Sequence, residues 1–142
     1  MYSASNSLKN LILFSFLFGL CSCTGGSGEP VPELADVNGV ITIDGAPLTN
    51  AKIIFEPQEA TDNALRRASS ATTQQDGSYS LEYNEDASGA SLGNHKVMIL
   101  KLTDNPEDAG KQLVPPKYND QSELTAEVKE GGNTINFDLT SK

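Results

Sequence analysis

From Ala35 onward the chain alternates apolar and polar residues with period two, and turn-forming residues break the alternation about every ten positions. Val37, Val40-Ile41 and Ile43 mark a first strand, and Gly39 inside it predicts a bulge. Asp44-Gly45 followed by Ala46-Pro47 predicts a tight turn. Ala51 to Glu56 (AKIIFE) reads as a short, well-buried strand stopped by Pro57, and the polar residues 58–67 as a loop. Ala68 to Thr73 makes a weak strand of small residues before a turn at Asp76-Gly77. Ser78 to Tyr83 alternates cleanly, with Tyr79, Leu81 and Tyr83 on one face and Ser78, Ser80 and Glu82 on the other. Asn84 to Asn94 returns the chain, and His95 to Leu102 (HKVMILKL) is the longest apolar strand, placed centrally. Leu124 to Val128 and Ile135 to Leu139 flank Glu130-Gly131-Gly132-Asn133 and predict a closing hairpin. No helical spacing with caps is sustained after residue 34. About seven short strands over residues 35–142 predict an all-β fold, an antiparallel β-sandwich.

The amino-terminal third follows different rules. Leu11 to Leu20 (LILFSFLFGL) is an apolar run preceded by Lys9 and followed by Cys21-Ser22-Cys23. It is too short to span a bilayer, which takes about 20 apolar residues, and it has the form of a secretory signal peptide. Leu20-Cys21-Ser22-Cys23 resembles the lipobox of bacterial lipoproteins, with Cys23 as the modified residue and Cys21 the poorer candidate because Leu20 would precede it. The resemblance implies cleavage before Cys23, diacylglycerol on its sulfur and acylation of the new amino terminus. Two or three buried acyl chains anchor a protein firmly, whereas one is marginal. The alternative is ordinary signal cleavage that leaves free thiols in an exported chain. Residues 1–22 are thus expected to be a signal peptide and residues 23–34, rich in Gly, Ser and Pro, a flexible tether. Thr24 after Cys23 lacks the Asp that commonly retains lipoproteins at an inner membrane, which favours an outer membrane if the cell has one.

The 142 residues carry 10 Lys and Arg against 19 Asp and Glu, a net charge of −9. Without Lys9 the chain from Cys23 onward carries −10. The acids run from Glu29 to Asp138, so there is no basic stripe for nucleic acid and no cationic patch for anionic lipid. With Cys23 lipidated and Cys21 removed, no disulfide is available and the domain must stand on its core.

Val40 to Leu48 (VITIDGAPL) followed by Ala51 to Phe55 (AKIIF) resembles the opening of carboxypeptidase-regulatory-like and transthyretin-like domains. Thr72 to Tyr79 (TTQQDGSY) fits their Thr-Asp-x-x-Gly-x-Tyr turn, with Gln74 in place of the Asp. Gly93 to Ile99 matches their Gly-x-Tyr-x-Val strand, with His95 at the aromatic position. Pro115-Pro116-Lys117-Tyr118-Asn119 and the closing strands resemble small bacterial envelope lipoproteins. The resemblance implies a prealbumin-like or immunoglobulin-like sandwich acting as an accessory, structural or binding module without enzymatic activity. The hydroxyisourate hydrolases share this architecture, but their activity needs several His and Arg residues and a terminal Tyr-Arg-Gly-Ser. This chain has one His and ends Leu139-Thr140-Ser141-Lys142.

Candidate chemistry is sparse. His95, the single histidine, would need a nucleophile and an orienting carboxylate to act as a base, and packing is its expected role. One His and one lipidated Cys cannot supply a zinc site. Asp104, Glu107 and Asp108, and Glu85-Asp86, are loop acids without a calcium-loop pattern, so no metal or cofactor is expected. With no Trp, and Tyr79, Tyr83 and Phe137 on core faces, Tyr118 is the one candidate ring for recognition, set by Pro115-Pro116. The competing role for Tyr118 is to fold the 103–121 connection back onto the sandwich, as a connection of that length requires. Arg66-Arg67 is the one basic pair, a partner contact or a solvated loop. The sequence therefore predicts a lipid-anchored, non-enzymatic module binding an envelope protein or a glycan, or alternatively a structural spacer without a specific ligand.

Overall fold

The structure is a computed structural model that describes residues 31–59 and 67–142. The signal segment, Cys23 and Arg66 lie outside the described residues. The chain runs through β1 (Leu34–Ala35), β2 (Val37–Ile43), β3 (Ala46–Pro47), β4 (Lys52–Pro57), β5 (Ser69–Thr72), β6 (Ser78–Ser80), β7 (Glu82–Asn84), β8 (Ala87–Ser88), β9 (Ala90–Ser91) and β10 (Gly93–Leu100). Two 3-10 turns follow, Pro106–Asp108 and Pro116–Tyr118, and then β11 (Thr125–Val128), β12 (Asn133–Thr134) and β13 (Phe137–Leu139). The expected tether overlaps this fold by one residue, since Leu34 already pairs with Ser91.

The larger sheet has the order β11-β10-β4-β5-β7-β8, with all its pairings antiparallel. The smaller sheet is centred on β2, flanked by β3 and β6 on one side and by β12 and β13 on the other. Period-two alternation turns Ile53 and Phe55 of β4 and Val97 and Ile99 of β10 inward, where they are fully buried. They meet Val37, Ile41, Tyr79, Phe137 and Leu139 from the facing sheet. Phe55 and Phe137 join the two sheets through an edge-on contact, 6.3 Å between centroids at 73°. Burying a side chain of this size contributes about 1.5–3 kcal/mol. The β2–β3 hairpin closes through Asp44 (φ 49°) and Gly45 (φ 80°), the left-handed pair a two-residue turn of this hand demands.

Three expectations are corrected. The last strands do not form a hairpin: β11 pairs with β10, whereas β12 and β13 lie parallel to β2 in the other sheet. Asn133 makes the crossing, its amide accepting from Lys129 N (3.0 Å) and donating to Lys129 O (2.8 Å), Gly131 O and Asp36 O (both 3.2 Å). A Gly-rich loop between two half-buried strands joins two sheets as readily as two neighbours in one. The expected strand from Ser78 to Tyr83 is divided at Leu81, with β6 in the smaller sheet and β7 in the larger. Gly39 is not a bulge either, since β2 and β6 pair in continuous register from Asn38↔Ser80 to Val40↔Ser78.

Gly39 is there for close approach. A Cβ on it would sit 1.8 Å from the Ile135 carbonyl oxygen and 3.0 Å from the Tyr79 ring. That carbonyl accepts the Tyr79 hydroxyl at 2.7 Å, while Ile135 N–H donates to Asn38 O at 2.8 Å. Next along, the Asn136 side chain accepts Val40 N–H at 2.9 Å. Burial pushes the Tyr79 phenol well above its ordinary pKa, so it remains a donor.

Tyr79→Phe leaves the Ile135 carbonyl without its donor and is expected to lower unfolding free energy by about 1–3 kcal/mol in urea melts. Gly39→Ala places a methyl against backbone and is expected to cost at least the ~3 kcal/mol upper end of ordinary overpacking. Wild-type stability in either variant would contradict the contact.

Candidate functional site

The larger sheet fixes two poles. In the β4–β10 ladder Leu100 pairs with Lys52 at one end and His95 with Pro57 at the other. The five steps from His95 to Leu100 span about 17 Å. The chain enters at the His95 end, where β1 pairs with β9 through Leu34↔Ser91 and Ala35↔Ala90. At the Leu100 end, three loops surround an open groove of about 690 Å³ lined by Thr49, Asn50, Thr73, Gln74, Gln75, Asp76, Lys101 and Asp104. A second depression of about 360 Å³ adjoins it, sharing Asn50 and Asp104 and adding Lys52, Thr72, Leu100, Leu102 and Gln112.

Thr73 builds the floor of the groove. Its buried hydroxyl donates to Leu48 O at 2.6 Å and accepts Ala51 N–H at 2.9 Å. Its backbone adds Thr73 N–H to Ala51 O (2.8 Å) and Asn50 N–H to Thr73 O (3.0 Å). The turn that follows closes with Gly77 N–H on Gln74 O and Gln74 N–H on Ser78 O. Asp76 accepts both the hydroxyl (2.6 Å) and the N–H (3.0 Å) of Ser78, and these bonds hold its carboxyl below the ordinary value. On the opposite wall the Lys101 ammonium donates to Thr49 O at 2.7 Å, and Lys101 N–H donates to the Gln112 side chain at 3.0 Å. The groove thus presents amides, two carboxylates and one pinned ammonium.

His95 lies at the other pole. It is 1 % exposed, with its ring 5.7 Å from that of Phe55. Nδ1 is 3.1 Å from Gly93 O and Nε2 is 3.3 Å from Ser91 Oγ. A neutral ring that donates from Nδ1 and accepts at Nε2 satisfies both contacts. Burial lowers its pKa below 6.5, the Gly93 carbonyl opposing in part.

Tyr118 is half-buried against the core, its ring 5.0 Å beneath the Lys117 ammonium. Its oxygen accepts Thr140 N–H at 3.1 Å and lies 3.3 Å from Thr140 Oγ1. Those bonds lower its pKa from the ordinary phenol value. Lys117 reaches the same strand end, on Thr140 Oγ1 and Lys142 O. The connection around it is stitched down by Asn119 Nδ2 on Val114 O (3.0 Å), by the Leu102↔Gln112 bridge, and by the Ser122 hydroxyl on Val97 O. Arg67 lies over the Tyr83 ring at 5.8 Å. Among the loop acids, Asp108 meets Lys111 at 4.0 Å, and no cluster of three metal-ligating side chains occurs among the described residues. The structure therefore does not bring His95, Tyr118 and the acids together. The sequence does not reveal the groove, because its amides stand at turn positions that read as ordinary loop composition, although Gln74 to Asp76 fall within the Thr72 to Tyr79 turn motif.

Thr73→Val orphans Leu48 O and Ala51 N–H and is expected to cost about 1–3 kcal/mol, while Thr73→Ser keeps both bonds and stays within about 1 kcal/mol of wild type in urea melts. His95 adds a pH dependence. Its unfolded form takes up a proton as pH falls through about 6.5, whereas the buried ring resists until lower pH, so stability declines on acidification from there. Urea midpoints against pH are expected to show this slope in wild type and lose it in His95→Tyr. An unchanged slope in the variant would assign it to other groups.

No protein-family model matches this chain, and no curated protein matches it. Among solved structures it is similar to a DUF3823 family protein from Parabacteroides merdae, at 15% sequence identity and a TM-score of 0.45. The similarity covers 76% of this chain and 46% of that one, so the chain spans less than half the length of its structural neighbour.

Proposed function

We propose that this chain is a lipid-anchored, non-enzymatic binding or assembly module of the bacterial envelope, built on a carboxypeptidase-regulatory-like or transthyretin-like sandwich. In this reading Cys23 carries the acyl chains, residues 24–33 form the spacer, and the outer membrane is the favoured site. The observation that carries it is the arrangement of the poles. The chain enters beside His95 through β1 and β9, and the groove opens about 17 Å away, past Leu100. An anchor at the amino-terminal side then presents the groove away from the bilayer, where a partner protein or glycan reaches it. The motif residues support the family reading through what they hold: Gly45 turns the first hairpin, Thr73 ties its far end, and Tyr79 locks the smaller sheet. His95 supports a non-catalytic role, both of its ring nitrogens being engaged beneath Phe55.

A photoreactive amino acid placed at Gln75, and in a second strain at Glu33, tests this in intact cells that express the full chain. Crosslinked products are analysed by mass spectrometry for polypeptide and for glycan. A defined product from position 75, weaker from position 33 and lost in Cys23→Ala, is expected. Products made only of this chain, or equal products from both positions, would favour the structural spacer and overturn the binding reading.

A further inference from the structure

The groove and the depression beside it form one surface, and their chemistry selects among partners. Asn50, Gln74 and Gln75 line the first cavity with Asp76, Asp104 and Lys101, and Leu100 and Leu102 floor the second. Other amides in the fold have structural work: Gln112 holds Lys101 N–H, Asn119 holds Val114 O, and Asn136 holds Val40 N–H. Among the described residues no such bond ties down the side chains of Asn50, Gln74 or Gln75. Their donors and acceptors face solvent at the rim of a concave surface whose two parts fall in the usual size range of small-ligand sites, about 300–1,000 Å³.

We infer that this surface binds a neutral, hydroxyl-rich glycan segment. Planar amides and carboxylates pair with adjacent hydroxyls, each offering two donor or acceptor positions to groups that both donate and accept. The pinned Lys101 ammonium adds a fixed donor, 2.7 Å from Thr49 O. Leu102, 53 % exposed, and half-buried Leu100 give the C–H face of a sugar ring an apolar surface next to the hydrogen-bonding groups. Charge points to a neutral chain: Asp76 and Asp104 are balanced in the lining by Lys101 and Lys52, so the surface selects no charged ligand, and the protein as a whole, at net charge −9, repels a polyanion. A protein partner is disfavoured because, among the described residues, the lining has no Trp, Tyr or Arg, the side chains that dominate binding energy between proteins. Without an aromatic platform each sugar is held weakly, so binding grows with the number of units presented together.

The inference rests on the groove being the recognition surface, and its test separates the two claims. Full-length lipidated protein in detergent is applied to an array of neutral and uronate-bearing oligosaccharides, beside a Gln74→Ala/Gln75→Ala variant and a Leu102→Ser variant. All replaced side chains are exposed, so thermal melts should match wild type. Retention on neutral glycans, reduced at least about tenfold in both variants, is expected. Retention only on uronate-bearing glycans, or retention that both variants preserve, would overturn it. No retention, together with a polypeptide crosslinked at position 75, would overturn the glycan assignment and leave the binding module standing. No retention and no crosslinked partner would overturn both.

Discussion

The Tyr79 hydroxyl, the Ile135 carbonyl and the bare backbone of Gly39 form the contact on which the rest of the sandwich depends. The carboxy-terminal strands reach the smaller sheet from across the molecule and lie parallel to β2, a pairing that no short turn can enforce. Their register is held by side chains instead. Tyr79 takes the Ile135 carbonyl at 2.7 Å, Asn136 takes Val40 N–H, and Asn133 fixes the crossing at Asp36. None of this is reachable unless residue 39 lacks a Cβ, which would stand 1.8 Å from the carbonyl oxygen. Once β13 is seated, Phe137 meets Phe55 and the two sheets close on one core.

The same chain segment links that lock to the groove. Thr73 ties the Leu48–Ala51 turn, Gln74 to Asp76 form the rim, and three residues later Tyr79 reaches the lock. A surface built from polar loops would otherwise be the least ordered part of a small domain. Here both ends of the loop are anchored on buried groups, so its amides are presented from a fixed frame. At the opposite pole, β1 pairs with β9 beside His95, whose neutral ring packs against Phe55 with both nitrogens engaged.

Alternation made most of the strands legible, because a half-buried strand in a thin sandwich writes its burial directly into the sequence: Tyr79, Leu81 and Tyr83 are buried, and Ser80 and Glu82 are exposed. The all-β class followed, as did the turn at Asp44-Gly45. Which sheet a strand joins was not legible. Alternation says that Val128 and Phe137 face a core, and in a sandwich both sheets face the same one. Gly39 inside a strand points to a bulge, but a bulge and a close backbone approach leave the same letter in the sequence, and the difference lies 96 residues away at Ile135. The groove stayed hidden for a similar reason, since Asn50, Gln75 and Lys101 become neighbours only after the ladders form. Tyr118 was visible as a ring on a proline-stiffened connection, while its contact with Thr140 depends on where the last strand ends.

Native-state hydrogen exchange tests the lock most directly. The account predicts that Ile135 N–H, bonded to Asn38 O, exchanges only through global unfolding, with the same free energy and denaturant dependence as Val97, bonded to Leu124 O, and Met98, paired with Ile54, in β10 of the larger sheet. Exchange of Ile135 at much lower free energy, with Val97 and Met98 still protected, would mean that the carboxy-terminal strands peel away on their own, and would contradict it.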